Sequence, residues 1–508
     1  MTPAAPRFTG RTLVRFLLAA VVLAVAAAVV ASFTRYALNL GTPRYRVEAV
    51  ATVFVAISLI VAGLLRRPGV PAESNQGLAP LAVWLTFLAL GLALYWPALR
   101  IGYLSDDYGL VALARQWRIG PVTPALFRPV PLGVWAVLLS LGAGPVTLHA
   151  LNIVLHGTTA FLASRVVLGW GIHRLWSIAA GLLVLTSPLA PETVAWCSGV
   201  FDVMAAALIL GAVLLNRRGA RAAMIILAIA AVLSKETAAV GVALIALDVW
   251  IRRAFTRRVA VDVVILAAVV AIFGAFRLAA APDVPRPAFS KFLIQRVLFE
   301  TFGGFAVPWH IDVLSSHPLL PIVVVSVLVG LFAAFAIASQ PTPRLRILLG
   351  ASAWMIGSVL VTAAVLAVPP NLEGSRYLYL ASVGWAALLV VLASSGRRSS
   401  IWSRVGATAL AALIACGVYG TCAHLRHWVE AGALRDAVEE AARSNRSLRQ
   451  CSTVRLHALP DNVRGAYVFR NNAREAFALD LGIDARVSDD SGPCAFEWAA
   501  SEPRFVGR

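Results

Sequence analysis

Long runs of apolar residues dominate this sequence and constrain its fold more than any other feature. A helix that crosses a lipid bilayer needs about 20 mostly apolar residues. Hydrophobic residues make up 59% of the chain and charged residues 14%, whereas soluble domains are about half apolar and a quarter charged. We therefore expect an all-α polytopic membrane protein with about thirteen transmembrane helices. The candidate spans cover residues 14–33, 47–65, 79–98, 147–168, 174–190, 197–216, 220–235, 237–252, 259–278, 319–338, 345–368, 376–394 and 401–421.

Positive charge is concentrated in short loops between these runs. The net charge is +19, but its placement beside membrane spans argues against a nucleic-acid partner. Arginines accumulate in the cytoplasmic loops of membrane proteins. If the N-terminus is cytoplasmic, every second connection between spans is also cytoplasmic, and each of these connections contains arginine. These loops are Met1–Arg15, Arg66–Arg67, Arg165–Arg174, Arg217–Arg221, Arg252–Arg258, Arg344–Arg346 and Arg397–Arg404. Since the composition is also typical of a GC-rich bacterial genome, we expect a multi-pass protein of a bacterial inner (plasma) membrane, with the C-terminus outside.

This topology leaves four segments outside the cytoplasm. They are a long loop, Ile101–Thr147, which we call the acidic loop, the loop Ala279–His317, the turn Pro369–Tyr377 and the tail from Ala423. The topology requires that the apolar run Pro131–Gly144 does not cross the membrane. That run of about 14 residues is short for a span and suits a helix at the membrane interface.

The C-terminal tail is far more polar than the rest of the chain. Its pattern predicts a helix at His427–Ser444, followed by less regular structure. Cys451 and Cys494 both lie in this tail, and outside the cytoplasm they would form a disulfide. We therefore divide the chain into a transmembrane domain, residues 1–421, and a small periplasmic or extracellular domain, residues 422–508.

Two adjacent aspartates mark the start of the acidic loop. Asp106 and Asp107 stand where the chain would leave the bilayer. Neighbouring residues in an extended loop point in opposite directions, so one carboxylate would face a site and the other would support it. A solvated loop without function is an equal alternative.

Three polar residues share one face of the span at 147–168. His149, Asn152 and His156 are spaced i, i+3, i+7, which places them on one side of a helix. Hydrogen bonding between helices explains such a stripe as well as a binding site does. The spacing is a weak signal for zinc, because a metal-binding pair on a helix usually has the spacing i, i+4.

Other charged residues, distant in sequence, also fall at the outer ends of the predicted spans. Ionisable groups at membrane depth are costly and usually mark function, although Lys235 and Glu236 could simply pair with each other or cap helices. Carboxylates with nearby guanidinium and ammonium groups suit chemistry between an alcohol and a phosphate. The residues of this candidate substrate-binding set, beyond the three polar ones above, are Arg128, Glu192, Asp202, Lys235, Glu236, Glu373, Arg376 and Tyr377.

Four stretches resemble the integral-membrane GT-C glycosyltransferases, most closely the tetratricopeptide-bearing O-mannosyltransferase-like branch and its bacterial relatives, without the repeat array. The stretches are "FRPVPLGVWAVLLSLGAGPVTLHALNIVLHGTTAFL" (Phe127–Leu162), "SPLAPETVAWCSGVFDVMAA" (Ser187–Ala206), "LSKETA" (Leu233–Ala238) and "EGSRYLYLASVGW" (Glu373–Trp385). The resemblance implies a GT-C bundle with interfacial helices in the acidic loop. It also implies transfer of a sugar, with inversion, from a polyprenyl-phosphate donor on the outer face of the membrane.

The resemblance also implies roles for individual residues. Asp106 or Asp107 would be the catalytic carboxylate, Asp202 a second acidic group, and Lys235 and Arg376 would lie near the donor phosphate. No cofactor is certain. A divalent cation held by Asp107 and Asp202 is one option, and a positively charged histidine in its place is another.

The partners expected from this interpretation are the donor lipid, the bilayer and an acceptor that is a glycan, a lipid or a protein. Two alternatives stay open, a transporter or flippase of polyprenyl-linked glycans and a polymerase or ligase of them. Transporters commonly contain inverted repeats with ionisable groups at mid-membrane. This sequence has no evident internal pairing, and its ionisable residues lie towards one face.

Overall fold

The computed structural model describes residues 80–119, 121–123, 126–280, 297–337, 342–363, 366–394, 401–487, 494–501 and 503–507. The expected spans at 14–33 and 47–65 lie outside these residues. Each of the other expected spans overlaps a helix, although the ends differ by several residues. The long helices are Pro80–Tyr95, Pro145–Leu168, Arg174–Leu185, Val200–Arg217, Arg221–Val232, Gly241–Arg252, Arg257–Ala280, Leu319–Ile337, Thr342–Leu360, Ala381–Ala393 and Ile401–Ser444.

Within the described residues, five helical segments are long and apolar enough to cross a membrane. Together with shorter apolar helices, they identify a multi-pass membrane protein. The five are Pro80–Arg100, Pro145–Leu168, Cys197–Arg217, Arg257–Phe276 and Ser403–Ser444.

Shorter elements connect these helices. Several begin with proline in the first turn, where its missing N–H and fixed φ angle favour a helix start. The short α-helices are Asp106–Arg115, Pro129–Ser140, Pro191–Ala195, Gly304–Ala306, Ile311–Ser316, Arg446–Arg449 and Ala473–Leu481. The 3₁₀ turns are Trp96–Arg100, Cys197–Gly199, Glu236–Val240 and Ser375–Leu378, and a π-helical turn covers Phe299–Gly303.

The apolar run of the acidic loop forms the short helix Pro129–Ser140. Its 12 residues rise about 18 Å, well short of the roughly 30 Å hydrocarbon core. Leu132 and Trp135 are buried, whereas Val137 and Leu141 are exposed. One apolar side of this segment therefore packs on the protein and the other is exposed.

The helix Val200–Arg217 separates two polar regions of the bundle. Near its start, Asp202 pairs with Lys235. At its end, Arg217 pairs with the buried Asp248 at 2.5 Å. Fifteen residues of α-helix between these positions correspond to about 22 Å. The arginine-rich loops and the candidate site residues on this helix are thus at opposite ends of it.

The final membrane helix continues far beyond the expected span. Ile401–Ser444 is one uninterrupted helix of 44 residues, about 66 Å long. The expected helix at His427–Ser444 is present as the end of this element, and no break separates it from the apolar part. The proposed domain boundary between residues 421 and 422 falls inside this element, which we call the terminal helix.

The chain after the terminal helix forms a small α/β unit. Its four-stranded sheet has the order Ala485–Val487, Val454–His457, Ala495–Ala499 and Arg504–Gly507. The first three strands are parallel and the last pair is antiparallel. A disulfide joins Cys451 to Cys494, just before two of the paired strands. Two-stranded ribbons also occur at Pro121–Thr123 with Leu126–Phe127 and at Asn462–Val463 with Ala466–Tyr467.

A shared hydrophobic core joins this C-terminal unit to the acidic loop. Tyr108 of the acidic loop and Phe477 of the C-terminal unit are both buried in it. At its centre, Trp196 stacks on Trp428 with ring centroids 6.2 Å apart, and Tyr467 meets Trp196 edge-on at 4.9 Å. Aromatic contacts of this kind add to the free energy gained by burying the rings. The C-terminal unit therefore packs against the acidic loop.

Candidate functional site

The two aspartates of the acidic loop occupy different environments. They begin the helix Asp106–Arg115, so the expectation of an extended loop there was wrong. Acidic residues favour this position because the helix dipole is positive at the N-terminus. The Asp107 side chain is fully buried, whereas Asp106 is partly exposed. The two carboxylates diverge nonetheless, because residues one position apart on a helix do not face each other.

Protein donors surround the Asp107 carboxylate. One oxygen accepts hydrogen bonds from the Ser198 N–H at 2.7 Å and from its hydroxyl at 2.5 Å. The other accepts one from the Leu104 N–H at 2.9 Å. Burial raises the pKa of Asp107 to about 7 against the opposing effect of these bonds. Since its oxygens already have partners and no exposed surface, Asp107 ties the acidic loop to the turn at Cys197–Gly199.

The C-terminal unit covers Asp106. The side-chain amides of Asn471 and Asn472 lie 2.8 and 3.4 Å from its carboxylate oxygen. Gly109 permits this approach, because a Cβ atom there would lie 2.6 Å from the Asn472 side chain. Ser105, which directly precedes Asp106, has a positive φ of 49°. Its backbone N–H donates to the Val468 carbonyl oxygen at 2.8 Å. The C-terminal unit therefore contributes directly to the surroundings of this carboxylate.

Three basic side chains from distant segments each pair with a carboxylate. The Lys235 ammonium and the Arg376 guanidinium both lie over the Tyr377 ring, with centroid distances of 5.6 and 5.0 Å. Arg128 joins them through its partner Glu236, which follows Lys235 in the chain. We call them and their partners the cation cluster, which consists of Arg128 with Glu236, Lys235 with Asp202, and Arg376 with Glu192.

The ion pairs of the cation cluster do not include the pair between the sequence neighbours Lys235 and Glu236. Lys235 does not pair with its neighbour Glu236 but with Asp202. Glu236 instead binds Arg128 through two hydrogen bonds, at 2.8 and 3.0 Å. Burial alone would raise the pKa of Glu236, but Arg128 outweighs it and lowers this pKa to about 2. The Arg128–Glu236 pair thus has the two-point geometry typical of strong guanidinium–carboxylate contacts.

Arg376 has the richest surroundings of the three cations. Its guanidinium binds the buried carboxylate of Glu192 and donates to the Tyr467 hydroxyl at 2.9 Å. Tyr467 also donates to Glu192 at 3.1 Å. The guanidinium lies over the rings of Trp196, Tyr377 and Tyr467, with centroid distances of 5.2, 5.0 and 5.8 Å. Such cation–π contacts hold Arg376 in a defined orientation.

Trp196 connects the cation cluster to the acidic loop. Its ring lies against Arg376, and its indole N–H donates to the Leu104 carbonyl oxygen at 3.1 Å. Two residues later, Ser198 binds Asp107. The structure therefore brings the acidic loop and Arg376 to one region, although they are more than 250 residues apart in the chain.

A partly open cleft adjoins the cation cluster. Its free volume of about 20 Å³, room for about one water molecule, lies between the start of Val200–Arg217 and the end of Thr342–Leu360. Its polar lining residues are Asp202, Thr237, Ser358, Thr362, Arg376 and Tyr377. A small polar group could therefore meet both Asp202 and Arg376 there.

The polar stripe of the helix Pro145–Leu168 is buried and bonded within the bundle. His149 contacts the Cys197 thiol at 3.3 Å, and Asn152 donates to the Trp196 carbonyl oxygen at 2.7 Å. His156 lies 2.6 Å from the Tyr379 hydroxyl. These contacts are hydrogen bonds between helices, which was one of the two explanations expected for the stripe. Through His149 and Asn152, the stripe contacts the segment that carries Trp196.

Glu373 lies at the edge of the site rather than among the three cations. It pairs with Arg470 of the C-terminal unit, which also binds Asp461 at 2.8 Å. Asp107 and Asp202, the expected ligands of a divalent cation, have separate partners in Ser198 and Lys235. Within the described residues, neither belongs to a group of three His, Cys, Asp or Glu side chains with converging ligand atoms.

Several contributors to the site were not predicted from the sequence. Ser198 and Trp196 lie inside a resembling stretch but carry no charge, and Tyr467, Asn471 and Asn472 lie in the tail. The only local signal was the run "YVFRNN" at Tyr467–Asn472, which combines aromatic, basic and amide side chains. Nothing in that run indicates that it returns to the acidic loop.

No protein-family model and no curated protein sequence matches the chain. Among solved structures, the chain is similar to the crystal structure of ArnT from Cupriavidus metallidurans bound to undecaprenyl phosphate. The alignment covers 82% of this chain and 87% of that chain, with 16% sequence identity and a TM-score of 0.36.

Proposed function

We propose that this protein is an inverting glycosyltransferase of the GT-C type that uses a polyprenyl-phosphate-linked sugar as donor. The observation that carries the proposal is the convergence of Arg128, Lys235 and Arg376 at one end of an apolar helical bundle. Each of the three belongs to a different stretch that resembles the GT-C enzymes. Basic groups gathered beside a membrane suit a ligand with a phosphate on a lipid.

The donor phosphate would bind at Lys235 and Arg376. Both line or adjoin the cleft, and both are paired with carboxylates, Asp202 and Glu192. A phosphate can replace a carboxylate as the partner of a guanidinium or ammonium with similar geometry. The cluster is neutral as three pairs, so an incoming phosphate would exchange partners rather than meet uncompensated positive charge.

Asp106 is the better candidate for the catalytic base. A base must lie within hydrogen-bonding reach of the proton that it takes. The Asp107 oxygens are buried and accept three bonds from the protein, whereas Asp106 is partly exposed and contacts only two side-chain amides. We assign Asp107 the task of holding the acidic loop in place.

The reaction is a single displacement. The acceptor oxygen forms a bond to the anomeric carbon and releases its proton to the Asp106 carboxylate. The bond between the anomeric carbon and the phosphate oxygen breaks on the opposite face, so the configuration inverts. The polyprenyl phosphate leaves with the electron pair, and Arg376 and Lys235 stabilise its developing negative charge.

The C-terminal unit would complete the acceptor side of this site. Its segment Tyr467–Asn472 contacts Arg376, Glu192 and Asp106. We place this unit and the end of the terminal helix, which together make up residues 422–508, outside the cytoplasm. The acceptor hydroxyl, on a glycan, a lipid or a protein, would then enter between this unit and the acidic loop.

Release of polyprenyl phosphate tests the proposal. Purified protein is incubated with a panel of polyprenyl-phosphate sugars and with candidate acceptor hydroxyls, and free polyprenyl phosphate is measured. Arg376→Lys keeps the positive charge but loses the planar guanidinium that can contact a phosphate at two points, and Arg376→Ala removes the group altogether. We expect the alanine variant to lose about 100- to 1,000-fold in rate, with the lysine variant in between.

The matched control is Arg474→Ala. Arg474 is an exposed arginine of the C-terminal unit that pairs with Asp484, so the change should leave transfer intact. Equal rates for the wild type, Arg376→Ala and Lys235→Ala would overturn the proposed donor site. Movement of a lipid-linked glycan across a vesicle membrane, with no polyprenyl phosphate released, would instead identify a transporter.

A further inference from the structure

A second cluster of polar side chains lies where the loop before Ile311–Ser316 meets the terminal helix. In the described part of the chain, His310, Asp312 and His427 place one ligand atom each within 4.8 Å of one another. The Asp312 carboxylate oxygen lies 3.5 Å from His310 Nδ1 and 3.7 Å from His427 Nε2. Ligands of a tetrahedral zinc ion, at about 2.0–2.1 Å from the metal, lie about 3.3 Å apart. Two of the three separations are close to that value.

The hydrogen bonds of His310 set the tautomer that a metal requires. Its Nδ1 accepts the backbone N–H of Asp312 at 3.1 Å, so that nitrogen carries a lone pair. Its Nε2 lies 3.0 Å from the Arg464 carbonyl oxygen, to which it must donate. Metal-bound histidines almost always donate their other N–H to a carbonyl or a carboxylate. Nδ1 is therefore the unprotonated nitrogen of His310 and faces Asp312, and a bound cation would replace the Asp312 N–H as the partner of its lone pair.

The side chain of His427 also turns one ring nitrogen, Nε2, towards the Asp312 carboxylate. Its Nδ1 lies 3.5 Å from a carboxylate oxygen of Glu430, one turn along the terminal helix. Its Nε2 is buried without a hydrogen-bond partner, and the residue as a whole is only 4% exposed. A buried polar atom without a partner is costly. A cation between His427 and Asp312 would remove that cost.

We propose that His310, Asp312 and His427 bind a divalent transition-metal cation, with zinc as the best fit. Two imidazole nitrogens and a carboxylate oxygen are ligands that zinc commonly takes, and three protein ligands leave the fourth position to water. Glu430 and the Arg464 carbonyl oxygen would orient the two imidazoles from behind. This site does not depend on the proposed transferase activity.

Arg464 competes with the cation at this site. Its guanidinium pairs with Asp312 at 2.9 Å, and its side chain is 56% exposed. An exposed side chain of this length can swing into solvent when the metal arrives. Asp312 lies in a membrane loop and His427 in the terminal helix, so the bound cation would join these two elements. The hydrogen bond between His310 and the Arg464 carbonyl oxygen would extend this link to the C-terminal unit.

Zinc titration of the full-length protein in detergent tests this site. The protein is stripped with a chelator and titrated with Zn²⁺ against a chromophoric competitor, and Co²⁺ absorption reports a tetrahedral site. We expect one equivalent per chain. Removal of an orienting group typically weakens binding by about 10- to 100-fold, which we expect for Glu430→Gln, and His427→Ala should weaken it more. Arg464→Ala should bind zinc more tightly than the wild type, because a competing cation is gone.

His317→Ala is the matched control, because this nearby histidine contacts Tyr419 instead. Zinc should raise the melting temperature of the wild type and of this control but not that of His427→Ala. Failure of the wild type to bind one equivalent would overturn the proposal, as would equal affinity in the wild type and Glu430→Gln. Weaker binding in Arg464→Ala would also contradict it. Because Glu430→Gln and Arg464→Ala leave all three ligands in place, the test does not rely on a variant that fails to fold.

Discussion

Replacing each aspartate of the acidic loop with asparagine should separate catalysis from folding. Asp106→Asn should abolish sugar transfer and leave the fold intact, because Asp106 is partly exposed and contacts only amides that can reorient. Asp107→Asn should destabilise the protein first and reduce transfer only to the extent that the loop is displaced. The two residues are chemically identical, so each variant is the control for the other.

The expected loss of stability follows from the three hydrogen bonds of Asp107. An asparagine keeps one oxygen, which would turn towards the two Ser198 donors at 2.5 and 2.7 Å. Its NH₂ group would then face the Leu104 N–H, which leaves a buried donor unsatisfied at about 1–3 kcal/mol. An alanine would leave all three donors unsatisfied and cost at least about 3 kcal/mol. Asp106→Asn should change the free energy of unfolding by less than about 0.5 kcal/mol.

The assay pairs denaturant unfolding with release of polyprenyl phosphate for each variant. The expected order of stability is wild type equal to Asp106→Asn, then Asp107→Asn, then Asp107→Ala. A stable but inactive Asp107→Asn together with an active Asp106→Asn would refute the assignment and make Asp107 the base.

Buried charges and the disulfide lead to three further predictions. Burial raises the pKa of Asp107 from its ordinary 3.8 to about 7, so the folded protein binds more protons than the unfolded chain between these values. The free energy of unfolding should therefore fall as the pH rises through that range, by at most about 1.4 kcal/mol per pH unit. Parallel curves of stability against pH for the wild type and Asp107→Asn would contradict this. Lys235→Met or Asp202→Asn alone should cost about 3–5 kcal/mol and the double variant much less, and additive losses in denaturant unfolding would argue against the pair. Replacing Cys451 and Cys494 with serine opens a loop with a sequence separation of 43, worth about 4 kcal/mol, so the C-terminal unit should become protease-sensitive, and unchanged resistance would count against this.

The helices could be predicted because their cause is local. A run of apolar residues must form a helix in a bilayer, since no water is present to satisfy the backbone. Proline in the first turn also marks the starts of Pro129–Ser140 and Pro145–Leu168. The continuity of the terminal helix through residue 421 could not be predicted in the same way, although its end at Ser444 could. Beyond residue 421 the sequence becomes polar, but polarity alone does not stop a helix, and no proline interrupts Ile401–Ser444.

The residues that meet in the cation cluster could be inferred from the sequence more readily than their pairings. Asp202, Lys235 and Arg376 were all selected because ionisable groups are costly near a membrane. Their partners depend on which segments pack together, and that is a property of the tertiary structure. Lys235 therefore pairs with a residue 33 positions away rather than with its neighbour.

The contribution of the C-terminal unit was the part that the sequence least revealed. Tyr467 and Asn471 lie in a polar tail with no strong motif, and they reach Glu192 and Asp106 only because the terminal helix carries the chain past these residues. Their contacts span 275 and 365 residues. Contacts at such separations leave no periodic pattern in the sequence from which they could be inferred.

A structure of the protein with polyprenyl phosphate bound tests the central claim most directly. The claim is that the cation cluster holds the phosphate of a lipid-linked donor. We expect phosphate oxygens about 2.7–2.9 Å from the Arg376 guanidinium and the Lys235 ammonium, with Glu192 and Asp202 released or shared. A phosphate bound elsewhere, with both ion pairs unchanged, would contradict the account.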